Sequence, residues 1–207
     1  MKKLVFLFFG IISTISSAQN DKSYVDGLVS NFTKSLESRQ ITNFFYMNKY
    51  CDGSIEIFKL SDGSMCASKE IYYEVFVFWK EENQAMIKKI DNCGMYFSLS
   101  LNNLNVLDFV QNNTDQLKDG EVINYAVKNP ENVPVKSSEI HPCHRLFQFN
   151  LENKTFGQTY DLFDLTNESK YENLNFDSNN KLKIVALEKM VEGLILENET
   201  KFRRQNL

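Results

Sequence analysis

The sequence predicts a single α+β domain: a mostly antiparallel sheet of six or seven strands, covered by an N-terminal amphipathic helix and a C-terminal helix. Three observations carry this. Segments of alternating hydrophobicity recur between short turn signals from residue 43 to residue 151, the pattern of strands joined by hairpins. Residues 21–39 and 180–197 show helical apolar spacing instead. The chain of 207 residues, 43% hydrophobic, has no fixed-period repeat and no low-complexity tract. A chain of that size removes roughly 70% of its unfolded surface from water, so one core suffices.

Residues 21–39 put Val25, Leu28, Val29, Phe32 and Leu36 on one face, with Lys34, Glu37 and Arg39 off it. That is the stripe of a helix laid on a sheet. The period then shortens. Residues 43–50 and 54–60 read as strands on either side of the Asp52-Gly53 turn signal, and Ser61-Asp62-Gly63-Ser64 turns the chain again. Residues 70–80 are the strongest strand. Tyr73, Val75, Val77 and Trp79 point one way and Tyr72, Phe76 and Phe78 the other, so this strand should be central and covered on both faces. If any of these aromatics reaches the surface, Trp79 at the strand's end is the expected one.

Glu81-Glu82-Asn83 returns the chain as a strand over 84–91. Residues 95–101 alternate Phe97, Leu99 and Leu101 against Tyr96, Ser98 and Ser100, a strand wet on one face. A helix over 104–118 follows, capped by Asn103 and stopped by Gly120, then a strand over 121–128. All three prolines (Pro130, Pro134, Pro142) fall in 129–144, an expected loop. Residues 145–151 make another strand with Phe147, Phe149 and Leu151 inward. Residues 180–197 read as a helix capped by Asn180, with Ile184, Leu187, Val191 and Leu194 on one face. The alternative for 174–185 is two short strands about Ser178-Asn179-Asn180.

The first residues read as a secretory leader. Met1-Lys2-Lys3 is a positive start, residues 4–12 are apolar, and Ser16-Ser17-Ala18 sets small residues before a cut at Gln19. The apolar run is far short of the ~20 residues of a spanning helix. The domain is then residues 19–207. Loss of Lys2 and Lys3 leaves 21 basic against 27 acidic residues, a net charge of −6. An acidic chain lacks the basic face of a nucleic-acid binder. Abundant Asn and Lys with only four arginines read as the codon bias of an AT-rich bacterial genome.

Cys51, Cys66, Cys93 and Cys143, an even set in an exported chain, predict two disulfides. In a meander, Cys66 precedes one long strand and Cys93 follows the next, which favours Cys66–Cys93 and leaves Cys51–Cys143. The rival is a local Cys51–Cys66 link, with Cys93 joined to Cys143. No Cys-x-x-Cys redox motif occurs.

Both histidines lie in His141-Pro142-Cys143-His144. Imidazole and thiolate are zinc ligands, but this spacing crowds one ion. Cys143 as a nucleophile would have only local bases, His141 or His144. The plainer reading is a disulfide cysteine in a loop, flanked by two histidines. Acids recur at Asp161, Asp164 and Glu168, and Asp161 and Asp164 would share a helical face, yet the ordered ligand spacing of a calcium loop is missing. Lys201-Phe202-Arg203-Arg204 reads as a frayed polar tail. No Gly-x-Ser-x-Gly, His-Glu-x-x-His, P-loop or dinucleotide motif is present, so no cofactor is expected.

The expectation is an exported domain of the bacterial envelope, periplasmic or secreted. It is non-enzymatic and binds a protein or envelope component through its sheet face or loop 129–144, with no nucleic-acid partner and no membrane span beyond the leader. One alternative is a small hydrolase or metal-dependent enzyme centred on His141, Cys143 and His144. Another is a carrier of a small hydrophobic ligand, which needs a cavity between sheet and helix.

Overall fold

The computed structural model describes residues 20–205 apart from 153 and 168–171. The expected leader (residues 1–18, cut before Gln19) and Glu168 lie outside the described residues. Helix α1 (Lys22–Ser38) precedes strand β1 (Phe44–Cys51), the small hairpin β2 (Ile57–Lys59) and β3 (Met65–Ala67), and the long hairpin β4 (Glu74–Glu81) and β5 (Gln84–Asp91). Short β6 (Gly94–Met95) and β7 (Leu99–Ser100) follow, then α2 (Asn105–Asn112) and α3 (Thr114–Asp119). A second small hairpin, β8 (Ala126–Lys128) and β9 (Pro134–Lys136), leads to β10 (Cys143–Leu151) and β11 (Lys154–Asp161). The chain closes through short α4 (Phe176–Asn179) and long α5 (Lys183–Asn198).

One antiparallel sheet runs in the order β11-β10-β1-β4-β5-β6, with β7 also paired to β5. The fold is the expected α+β domain. Pairing of β4 with β5 follows from a tight turn in which Glu82 and Asn83 both take positive φ, 48° and 63°. That backbone matches the twist of the strands it joins.

The two faces of the sheet carry separate cores. On one, Val25, Val29 and Leu36 of α1 meet Phe44, Val75, Val77, Trp79 and Ile90. On the other, Phe45, Met47, Phe76, Phe78, Phe147 and Phe149 meet Val106 and Val110 of α2, Leu117 of α3 and Ile184, Leu187 and Val191 of α5. β4 feeds both cores, as its two-sided apolar pattern requires. Each fully buried large side chain contributes on the order of 1.5–3 kcal/mol.

Several local expectations are corrected. Trp79 is 1% exposed: α1 covers the strand's end, Phe32 meets the indole edge-on at 5.3 Å, and Nε1 donates to Glu81 at 3.0 Å. The strand expected over 95–101 breaks into β6 and β7, and Phe97 faces out at 54% exposure. The helix expected over 104–118 splits at Asn113. There the Asn113 and Thr114 side chains bond the carbonyls of Phe109 and Val110, competing with the helical ladder. Only 126–128 of the strand expected over 121–128 pairs as a strand. Upstream, side chains take the backbone groups: Asn179 holds both polar groups of Ile123, and Asp164 accepts from the Tyr125 amide at 2.6 Å. The loop expected over 129–144 includes β9 and the start of β10.

The C-terminal helix forms, beginning after Leu182 rather than at Asn180, which instead bonds the Leu165 carbonyl. The hairpin alternative does not form. β11 carries only a weak strand signal, since its alternation of Phe156, Gln158 and Tyr160 is only partly apolar. The tail is not frayed. Phe202 is buried, and residues 203–205 bond the backbone of Met95 and Phe97 at the sheet edge. Among the described residues no helix is long and apolar enough to cross a membrane.

Candidate functional site

The loop His141-Pro142-Cys143-His144 lies where β1 ends, β10 begins and β11 ends. Register sets Cys51 opposite Cys143, and Tyr50 opposite His144 opposite Asp161. The cysteines are joined as Cys51–Cys143 and Cys66–Cys93. Cys143 therefore offers neither a thiolate nucleophile nor a metal ligand.

His144 is held on all sides. Its ring stacks on Tyr50 at 4.6 Å, Nδ1 lies 2.5 Å from Asp161 Oδ1, and Nε2 lies 3.3 Å from Asp52 Oδ1. Nδ1 is bound by Asp161 and Nε2 faces the Asp52 carboxylate, so the imidazole links three segments. His141 is exposed and does something else: its Nδ1 lies 3.6 Å from where a Cβ would stand on Gly53. Gly53 takes φ +75°, and the Asp52 amide donates to the Pro142 carbonyl at 3.0 Å. The loop is thus strapped to the β1–β2 turn. Asp161 and Asp164 do not act as a pair, since Asp161 serves His144 and Asp164 serves the Tyr125 amide. Among the described residues no three His, Cys, Asp or Glu side chains could hold a metal ion.

The same end of the sheet carries a polar row that the sequence reading missed. Asp91, Glu74, Lys49, Arg145 and Tyr160 are successive register partners on β5, β4, β1, β10 and β11. Under α5 they form a chain of ion pairs. Lys89 meets Glu74, Lys49 lies 3.4 Å from both Glu74 and Glu192, and Arg145 reaches Glu188 at 2.9 Å and Glu192 at 3.2 Å. Burial works to raise the Glu74 carboxyl, but Lys89 and Lys49 outweigh it and hold Glu74 below its ordinary range. Burial raises Glu188, against the pull of Arg145. The signal was there in the strand alternation. Lys49, Glu74 and Arg145 each occupy the inward phase shared with Met47, Phe76 and Phe147. Lys49, Lys89, Glu74, Arg145, Glu188 and Glu192 pair with one another and brace α5 on the sheet. Asp91 pairs with Arg204, and the buried Tyr160 hydroxyl is left without a hydrogen-bond partner.

Lys88 is a separate buried cation. It is 3% exposed, donates to the Tyr96 carbonyl at 2.6 Å, and sits 5.0 Å from the Phe32 ring centroid. Burial pushes its pKa down to about 8. Between that value and the ordinary lysine value the folded state binds fewer protons than the unfolded state, so this group's contribution to stability rises with pH across the window. Below it, the cost of burying the charge is present in full. We expect the urea midpoint of the wild type, relative to Lys88→Met, to improve from pH 7.5 to pH 9.5. A parallel pair of curves would contradict this.

At the opposite end of the sheet, a cleft of about 950 Å³ opens between α2–α3 and the β10–β11 turn. Phe44, Leu107, Leu151 and Phe156 line it, with Asp108 and Lys118 among its charged groups. Its mixed walls are those of a solvated cleft rather than a closed apolar cavity. Comparison with protein-family models, characterised proteins and solved structures finds no match for this chain.

Proposed function

We propose that this chain is an exported, non-enzymatic binding domain that holds a partner protein at the disulfide-braced end of its sheet. The observation that carries the reading is a set of bare apolar side chains on two braced segments. Ile55, Ile57 and Met65 beside and on the β2–β3 hairpin are 56%, 63% and 64% exposed, and Ile140 in the 129–144 loop is 89% exposed. Ile57 and Met65 share the outward face of the hairpin, while Phe58 and Cys66 face the body.

The bracing matters energetically. Cys66–Cys93 ties the hairpin to the end of β5, and Cys51–Cys143 ties the loop to β1. The hydrogen bond from the Asp52 amide to the Pro142 carbonyl sets the two segments side by side. Segments ordered beforehand lose less entropy on binding, which favours recognition. Two disulfides and a leader pattern fit an oxidising compartment. The bridged Cys143 and a His144 set between Asp161 and Asp52 support binding over catalysis at this loop.

Photo-crosslinking in the producing cell tests the reading. A photoreactive amino acid replacing Ile57 or Ile140 is expected to give a discrete protein adduct, and one replacing Lys34 on α1 is not. No adduct from Ile57 and Ile140, or the same adducts from all three positions, would overturn it.

A further inference from the structure

We infer that the groove between α1 and β10 binds a neutral, hydroxyl-rich small molecule, a mono- or disaccharide by chemical class. Helix α1 packs over β1, β4 and β5, and alongside it β10 is left open. The groove there has a volume of about 410 Å³, within the roughly 300–1,000 Å³ of small-molecule sites.

Asn48 sits in its floor. The residue is 5% exposed, and its Oδ1 has no hydrogen-bond partner. The position makes no sense as packing. In register, its same-face neighbours are Val75 on β4 and Leu146 on β10, and Val29 of α1 lines the same groove. A leucine or valine would suit all three, whereas a buried unpaired acceptor destabilises the fold. Buried polar groups without partners are rare in folded proteins and ask for a reason. Oδ1 is closed off from the groove as the side chain stands, so a turn of the Asn48 amide that brings Oδ1 to a ligand hydroxyl supplies one.

The rest of the lining fits that chemistry. Ser30, Thr33, Tyr46 and Gln148 bring hydroxyl and amide groups. Burial, then the Asp26 charge, raise the Tyr46 hydroxyl, so it stays a donor. Among the described residues of the lining the charged groups are Lys22 and Asp26, which pair at 2.6 Å. Val29, Val75, Leu146 and the Tyr46 ring offer an apolar surface for the C–H face of a sugar ring. This site is independent of the protein-binding end proposed above.

The test is a titration of the ¹⁵N-labelled, disulfide-bonded protein with glucose, galactose, N-acetylglucosamine, maltose and cellobiose, each to tens of millimolar. At least one sugar is expected to shift the Asn48 side-chain amide and the Ser30, Thr33 and Gln148 amides saturably. Asn48→Leu is expected to weaken that sugar at least tenfold while raising the thermal midpoint. The inference falls if no sugar moves these signals, leaving a groove that holds water only. It falls equally if Asn48→Leu binds as the wild type does, or if that variant lowers the midpoint and so marks Asn48 as a packing residue.

Discussion

Asp91→Asn is expected to destabilise the fold by about 3–5 kcal/mol, the usual cost of removing one partner from a buried ion pair. Asp91 is 0% exposed and accepts both Arg204 guanidinium nitrogens, at 2.6 and 2.8 Å. It also accepts from the Cys93 amide at 2.7 Å and from the Tyr72 and Tyr96 hydroxyls at 3.2 and 3.1 Å. An asparagine keeps the shape, but one acceptor becomes a donor facing a cation. Arg204, stacked on Tyr96 at 4.4 Å, then has no counter-charge. Its escape to water carries the tail with it. The Phe97 and Gln205 amides, bonded to Arg203 and Met95 carbonyls, should lose hydrogen-exchange protection before the rest of the sheet. Asp91→Asn combined with Arg204→Met should recover part of the loss, since the double variant buries no lone charge. A loss under about 1 kcal/mol would mean the pair behaves as a surface one.

Removing Cys51–Cys143 is expected to cost more than removing Cys66–Cys93. The first bridge spans 92 residues and the second 27. On the chain-entropy argument these constrain the unfolded chain by about 4.6 and about 3.6 kcal/mol. Urea midpoints of Cys51→Ala/Cys143→Ala and Cys66→Ala/Cys93→Ala, measured without reductant, check the order. The first variant should also loosen the His144 clamp, because Cys143 adjoins it and Cys51 adjoins Asp52. A reversed order would show that the Cys66–Cys93 bridge braces native structure the rest of the chain cannot hold.

What could be read from residues alone was whatever repeats with a period. The β4 segment announced its central place because Val75, Val77 and Trp79 alternate with Phe76 and Phe78, and both sets are large and apolar. Helix α1 announced its buried stripe in the same way. The pairing of Cys66 with Cys93 was favoured because hairpin geometry returns the chain to the same end. Segments whose backbone is satisfied by side chains escaped that kind of reading. Residues 121–125 look like a strand by alternation, yet Asn179 and Asp164 take their hydrogen bonds from more than 35 residues away. The split of the 104–118 helix turned on Asn113 and Thr114 bonding local carbonyls, which periodicity does not weigh.

The candidate sites divide along the same line. Sequence singled out His141 and His144 as unusual, and it listed Asp161 as an acid. It could not say that β1 and β11 would bring Asp52 and Asp161 to the two nitrogens of one ring. Nor could it tell that Asn48 faces Val75 and Leu146, since cross-strand neighbours exist only once register is set. The order of helix and strand and the faces each must bury were already dictated by hydrophobic spacing, a local property of the chain. Which polar groups meet, and which are left without partners, was decided by the pairing of strands distant in sequence.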